Sequence, residues 1–221
     1  SNATSFACKT TSKKGNLMAL EIIDKKIVGT IDNLENKLEG TLPVTREELL
    51  VLANSWGRKL DFEAKASNNQ TLKIEKCDSK ECYDLSKLDT SEITDMSSIF
   101  RTSNFNGDIS NWNRSNVTSM LGMFNNARTF NQKLNFDTSK VTNMDWMFYN
   151  AKSFNQYIGK WDTSKVTSME GMFDYAESFN QAINFDTSNV VKMSYMFCNA
   201  SAFLDKYNSG KSLSNYTDRK S

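Results

Sequence analysis

More than half of the chain repeats one pattern of apolar and polar positions. The repeats begin at Asp89, Asn113, Asp137, Asp162 and Asp186, so the steps are 24, 24, 25 and 24 residues. Self-similarity at such a period is the sequence signature of a solenoid, in which each repeat buries its apolar face against its neighbours. The period lies within the range of leucine-rich repeats. The pattern predicts an α/β, leucine-rich-repeat-like solenoid of about five turns.

Each repeat carries apolar residues three and four positions apart. In the second repeat these residues are Val117, Met120, Met123, Phe124 and Ala127. Their spacing places them on one side of about three helical turns. A short apolar stretch closes each repeat, for example Ile109 to Trp112, and is suited to one brief strand. Each turn is therefore predicted to hold a strand and a helix, with methionines as adaptable core residues rather than metal ligands.

Polar residues flank these apolar positions. A run such as Asp137-Thr138-Ser139 precedes each predicted helix, where short oxygen-bearing side chains accept hydrogen bonds from free amides. A column of aspartates could instead bind calcium, but Asn113 interrupts it and the dense oxygen ligation of such a site is lacking.

A Phe-Asn pair follows each predicted helix. We expect stacked phenylalanines to form a spine and stacked asparagines to bond the backbone of the next turn.

The aromatic residue that closes each repeat alternates between two types. It is Trp112, Phe136, Trp161 and Phe185 in successive repeats, and the tryptophan repeats hold one extra residue before it. The distances 161 − 112 and 185 − 136 both equal 49. The pattern therefore suggests a unit of two turns, with a bulge at each tryptophan that accommodates the larger indole.

The region before the repeats predicts a small capping domain over residues 16–83. Apolar residues three and four apart over residues 16–40 predict a helix that packs on its own domain or pairs as a coiled coil, ending at Gly40. Thr45 and Glu48 form a capping box, followed by an apolar stripe from Leu49 to Leu60. Alternating residues on either side of Ser67-Asn68-Asn69-Gln70 predict a hairpin. Such a domain is expected to cover the first repeat.

The remaining segments follow from composition. Residues 1–3 are typical of a scar left by tag removal, residues 4–15 are predicted to be flexible, the repeats extend over 84–205, and 206–221 form a polar tail. Cys77 and Cys82 can close a small disulfide loop in an oxidising compartment, or remain two reduced thiols.

Charge and residue usage narrow the function classes. The formal net charge is +1 with scattered basic residues, which argues against nucleic acid as a partner. No apolar run reaches the roughly 18 to 20 residues needed to span a bilayer, so no membrane insertion is expected. Histidine is absent, which removes the commonest general base and transition-metal ligand. We therefore expect no catalytic residues, no cofactor and no metal.

The stretch from Trp161 to Gln181, WDTSKVTSMEGMFDYAESFNQ, resembles the BspA-like, mycoplasma-lipoprotein type of repeat, which is related to leucine-rich repeats. The resemblance covers about residues 84–204. It implies a protein of largely unknown function that is either secreted or held at the cell surface by a lipid anchor, with adhesion to host or neighbouring-cell proteins proposed for relatives. It defines no catalytic residues that could be carried over to this chain.

Three functions are considered for a chain with these features. The favoured one is a monomeric interaction module for an extracellular or cell-surface protein. Its candidate face is the polar set Asn111, Asn113, Asn135, Asp137, Lys160, Asp162, Asn184 and Asp186. A hydrolase with paired carboxylates is disfavoured, because caps and surface explain the acidic residues and no nucleophile motif is present. A structural spacer or assembly module of the cell envelope is the alternative.

Overall fold

The structure is a computed structural model that describes residues 21–23, 26–29, 34–55, 62–65, 71–74 and 84–207. Its elements, in chain order, are strands β1 (Glu21–Ile23) and β2 (Lys26–Gly29), helices α1 (Leu34–Leu38) and α2 (Arg46–Ser55), strands β3 (Phe62–Lys65) and β4 (Thr71–Ile74), a short 3-10 helix (Leu85–Lys87), and helix α3 (Ser201–Tyr207). The repeats lie between the 3-10 helix and α3.

The four strands form one sheet in the order β1-β2-β3-β4. β3 and β4 pair antiparallel, with Phe62 opposite Ile74, which confirms the predicted hairpin. The long helix predicted over residues 16–40 is wrong at 21–23 and 26–29, where β1 and β2 pair antiparallel and place Ile22 opposite Ile27. Its last part is helical as α1 and ends just before Gly40, as predicted. β-Branched residues are stiff at χ1 and favour strands, so their local preference outweighs the helical spacing.

The capping box is confirmed. The Glu48 N–H donates to the Thr45 hydroxyl oxygen and the Thr45 N–H donates to the Glu48 carboxylate, both at 3.2 Å. Leu49 and Leu52 are buried in the common core, as the apolar stripe predicts. The last part of that stripe, including Leu60, lies outside the described residues.

The repeats consist of successive β-turns. Residues 88–200 hold no α-helix, so the helix predicted for each repeat is wrong. In the second repeat the N–H groups of Met123, Asn125 and Ala127 donate to carbonyls three residues earlier. The intervening N–H groups donate to the third repeat: Met120 to Asn143, Gly122 to Asp145, Phe124 to Met147 and Asn126 to Tyr149, at 2.7–3.0 Å. Successive N–H groups therefore alternate between closing a β-turn within the repeat and bonding to the next repeat.

A left-handed residue at every fourth position of these turns explains the absence of a helix. Trp146 and Asn150 have φ values of 56° and 53°, and the equivalent residues of the other repeats also have positive φ. A right-handed helix does not accommodate such residues. The predicted strands are also absent from residues 88–200, where pairing is limited to isolated parallel bridges. These bridges join Asp95 to Ser119, Ser119 to Asn143, Asn143 to Ser168 and Ser168 to Lys192.

Two columns of stacked phenylalanines fill the centre, which confirms the predicted spine. Ring centroids 5.4–5.6 Å apart join the members of the first column, and centroids 5.9–6.3 Å apart join those of the second. The columns are Phe100, Phe124, Phe148, Phe173 and Phe197, and Phe105, Phe130, Phe154, Phe179 and Phe203. The methionines at 96, 120, 144 and 169 are buried beside them.

Other elements contact both ends of the repeats. Before the first repeat, Val44 donates its N–H to the Asp89 carbonyl at 2.9 Å, and Arg46 forms an ion pair with Asp95. After the fifth repeat, α3 buries Phe203 against the spine, and Lys206 donates to the Asn180 carbonyl at 3.0 Å. The sequence pattern did not predict α3.

Candidate interaction surfaces

The first surface is the row of Asp or Asn residues at the start of each repeat. Each side chain accepts a hydrogen bond from the N–H two residues later, as Asp137 does from Ser139 at 3.0 Å. These Asx turns replace the predicted helix caps, because no helix follows them. Backbone and hydroxyl hydrogen bonds from Ser139 lower the pKa of Asp137, and Ser164 does the same for Asp162 through its hydroxyl and N–H. The carboxylates are therefore held ionised at neutral pH.

Side chains next to this row connect adjacent repeats. The Thr138 hydroxyl donates to the Asp162 carbonyl at 2.9 Å, and Thr163 donates to Asp186 at 3.0 Å. On the opposite flank, the predicted asparagine ladder is confirmed. The Asn155 N–H donates to the Asn131 side chain at 2.9 Å, and the other Phe-Asn pairs repeat this bond.

Arg114 replaces the threonine in the second repeat. Its guanidinium is buried, donates to the Ile109 carbonyl at 2.7 Å, and lies 4.0 Å from the centre of the Phe136 ring. Burial lowers the pKa of Arg114 to about 10, partly opposed by Asp108. The guanidinium remains charged at neutral pH and joins two repeats, because it also donates to the Asn135 carbonyl at 3.4 Å.

The tryptophan repeats accommodate their extra residue in a β-turn rather than the predicted bulge. The Trp112 N–H donates to the Ile109 carbonyl at 3.2 Å, and Trp161 donates to Ile158 at 3.1 Å. Each indole N–H then donates to a carbonyl of a preceding segment, Leu85 for Trp112 and Leu134 for Trp161. These turns lift Asn111 and Lys160 into solvent.

All eight candidate residues of the predicted face are exposed, namely Asn111, Asn113, Asn135, Asp137, Lys160, Asp162, Asn184 and Asp186. The structure brings their carboxylates near one another, since Asp162 acts to raise the pKa of both Asp137 and Asp186 against the larger effect of their serine partners. We call these eight residues the Asx face. The candidate disulfide residues Cys77 and Cys82 lie outside the described residues.

A second surface lies on the β-turns. Trp146 and Tyr149 contact edge to face with ring centroids 5.5 Å apart, and Tyr149 contacts Tyr175 in the same way at 6.0 Å. Tyr175 and Tyr195 are 43% and 55% exposed, although aromatic rings are normally covered. We call Trp146, Tyr149, Tyr175 and Tyr195 the aromatic patch. It was missed because these positions differ between repeats; the signal was the aromatic residues themselves, at variable positions between the Met and Ala columns.

The described part of the chain holds no group of three or more histidine, cysteine, aspartate or glutamate residues arranged to bind a metal ion. None of its helices has the length and apolar character needed to cross a membrane.

Comparison with known protein families gave one match. The family described as "Mycoplasma protein of unknown function, DUF285" matches residues 68–135 and 134–220, which together make up more than half of the chain. Searches among curated proteins and among solved structures found no match.

Proposed function

Because the chain belongs to the DUF285 family, a BspA-like mycoplasma repeat family of unknown function, we propose that it is a non-enzymatic bacterial protein that is either secreted or displayed at the cell surface by a lipid anchor. Its repeats form a leucine-rich-repeat-like solenoid that serves as a protein-protein interaction module of the adhesion type. The observation that carries this proposal is the exposure of all eight Asx-face residues on a backbone bonded from repeat to repeat.

The physical support is the division of work within each repeat. Buried phenylalanines and methionines provide the core, and Asn131 or Thr138 side chains bond neighbouring repeats. The side chains of the Asx face serve neither task and face solvent on a fixed backbone. Binding to a rigid surface avoids the entropy cost of ordering loops, which favours specific recognition of another protein.

The test is binding of the labelled chain to a panel of extracellular-matrix proteins, host receptors and glycans. A variant in which Asp137, Asp162 and Asp186 are replaced by asparagine serves as the comparison, because Asn113 forms the same turn without a charge. Saturable binding to a protein of the panel, weakened in the variant, supports the adhesion module and the Asx face. Absence of any saturable partner contradicts the proposal and favours the spacer or assembly module of the envelope.

A further inference from the structure

The aromatic patch is built into the backbone of the third to fifth repeats. A Cβ added to Gly171 would lie 2.2 Å from two ring carbons of Trp146, so the indole of the third repeat rests directly on the backbone of the fourth. Tyr149 and Tyr175 continue the contact across the same pair of repeats. The rings of Trp146, Tyr149 and Tyr175 are therefore held by one another and by the backbone. Tyr195 lies at the position equivalent to Trp146 in the fifth repeat, and Tyr175 and Tyr195 expose about half of their surface.

The same turns carry an uneven charge. Residues 144–150, 169–175 and 193–199 contain three carboxylates and no lysine or arginine, in a chain whose formal net charge is +1. The carboxylates belong to Asp145, Glu170 and Asp174. Asp145, the residue before Trp146, accepts hydrogen bonds from the Ser168 hydroxyl and the Glu170 N–H. These bonds fix the position of its side chain. The patch therefore combines aromatic faces with negative charge.

This combination is complementary to a cation carried on a flexible chain. Trp and Tyr faces attract guanidinium and ammonium groups, and carboxylates form charge-assisted hydrogen bonds with them. Trp and Tyr also dominate the energy of protein interfaces. Acidic residues without rings attract cations only through screened charge, whereas rings and acids together select arginine and lysine side chains.

We propose that the aromatic patch of Trp146, Tyr149, Tyr175 and Tyr195, with Asp145 and Glu170, docks an arginine- or lysine-containing extended segment of a partner protein. The inference rests on the proposed interaction function and names the chemistry of the partner. It assigns recognition to the β-turn surface, in addition to the Asx face.

The test uses a fluorescent peptide of alternating arginine and glycine, a matched peptide with glutamate in place of arginine, and anisotropy titrations of the full chain. The variants take residues from other repeats at equivalent positions, so that the turns are kept. They are Tyr175→Asn, after Asn126 and Asn150, Tyr195→Ser, after Ser98, and Glu170→Ser, after Ser194. Glu92→Asn, after Asn116 and Asn189, removes one exposed carboxylate in the first repeat, outside both surfaces, and serves as the control.

We expect saturable binding of the arginine peptide and none of the glutamate peptide. Each patch variant should weaken binding by about two- to fivefold, the range of one exposed cation-π contact, with Glu92→Asn unchanged. Two results overturn the inference: no saturable binding of the arginine peptide, or equal weakening by Glu92→Asn and Glu170→Ser, which indicates attraction by charge alone. A panel partner that binds through the Asx face but is insensitive to the patch variants leaves the proposed function standing and removes only this inference.

Discussion

At the scale of single residues, the polar side chains that matter most are buried or half-buried between repeats. Arg114 occupies a threonine position, yet its guanidinium satisfies carbonyls that a threonine does not reach. Asp174 is a carboxylate at a position held by Asn125 in the second repeat. Arg114 places a charge where other repeats hold a neutral threonine, and Asp174 places a carboxylate in a buried position, so both give sharp predictions.

Replacing Arg114 by alanine should lower the free energy of unfolding by about 2–4 kcal/mol, because buried carbonyls lose their donor and the Phe136 ring loses its contact. Arg114→Lys should recover only part of this loss, since an ammonium lacks the planar fork. Urea unfolding measures both variants. Arg101→Ala, at an exposed position, is the control, with an expected change below about 0.5 kcal/mol. Equal losses in Arg114→Ala and Arg101→Ala contradict the assigned role.

Asp174→Asn should stabilise the protein at neutral pH. Burial raises the pKa of Asp174, so its ionised form is less favourable in the folded state than in the unfolded chain. Stability therefore falls as pH rises from the unfolded pKa through the raised folded pKa, and the variant removes that fall. The free energy of unfolding of the variant should exceed that of the parent by the full amount at pH 7. This difference should disappear near pH 4, about the unperturbed pKa of aspartate.

Asp162→Asn gives the opposite sign and provides the control. The lowered pKa of Asp162 means that its ionised form stabilises the fold above the unfolded pKa, and that this contribution is lost as pH falls through the folded pKa. The variant should be less stable than the parent at pH 7 and equal to it in acid. Urea midpoints measured across this pH range test both variants, and a constant difference for Asp174→Asn argues against burial of its charge.

At the scale of the element, the β-turns show what the sequence can and cannot predict. Apolar positions at i, i+3, i+6 and i+7 were assigned correctly to the core, as Met120 and Phe124 demonstrate. The same spacing fits a helix and a run of β-turns equally well, so the local structure was assigned wrongly. Positive φ at Trp146 and Tyr195 has no signature in a bulky side chain; only the glycines at equivalent positions, Gly122 and Gly171, indicate it.

Gly171 and Gly122 form a matched pair for testing this element. Both have φ near 58°, but a Cβ at Gly122 meets nothing closer than 3.5 Å, whereas one at Gly171 meets the Trp146 ring at 2.2 Å. Gly122→Ala should cost about 1–2 kcal/mol from left-handed strain alone. Gly171→Ala should cost more, because the indole must also move.

The excess cost should vanish in the background Trp146→Ser, which removes the ring. Urea unfolding of the parent, of Gly171→Ala, of Trp146→Ser and of the double variant forms a double-mutant cycle. The cycle measures the coupling between positions 171 and 146. A coupling of zero contradicts the packing of Trp146 on the fourth repeat, and with it the fixed geometry of the aromatic patch.

At the scale of the whole molecule, stability is carried by contacts between neighbours in the series. Phe148 stacks on Phe124, Phe154 and Phe173, whereas Phe203 lies beyond the last repeat and contacts Phe179, Phe197 and Tyr207. Repeat proteins of this kind lose their terminal units more easily than their central ones. The effect of deleting a phenylalanine ring on stability should therefore depend on whether the ring lies in the middle or at the end of the repeats.

Phe148→Ala should reduce the free energy of unfolding by about 3–5 kcal/mol and lower hydrogen-exchange protection throughout the repeats. Phe203→Ala should reduce protection mainly in the fifth repeat and α3, with a smaller change in the urea midpoint. Hydrogen exchange monitored by mass spectrometry separates the two patterns. Uniform loss of protection in Phe203→Ala is inconsistent with contacts that act only between neighbours.

The sequence was most informative at this largest scale. The period predicted where the repeats begin, and the Phe and Asn columns predicted the spine and the ladder between them. Which outward side chains meet in space could not be predicted, because Tyr175 comes from the repeat after that of Trp146 and Tyr149. Their association depends on the 25-residue step, which aligns Trp146 with Gly171, and on the absence of a side chain at Gly171. The importance of both becomes visible only when the arrangement of the β-turns is known.

The alternation of tryptophan and phenylalanine turns has a consequence for the history of the gene. The indole of Trp161 donates to the Leu134 carbonyl of the phenylalanine repeat before it, and Trp112 donates to Leu85 in the 3-10 helix before the repeats, so neither acceptor belongs to a repeat closed by tryptophan. Copying one repeat by unequal recombination places two repeats of the same type side by side. Copying 49 codons, the distance from Trp112 to Trp161, keeps each copied tryptophan repeat behind a phenylalanine repeat. Such an array lengthens or shortens most readily in pairs, so paralogous chains should differ by even numbers of repeats.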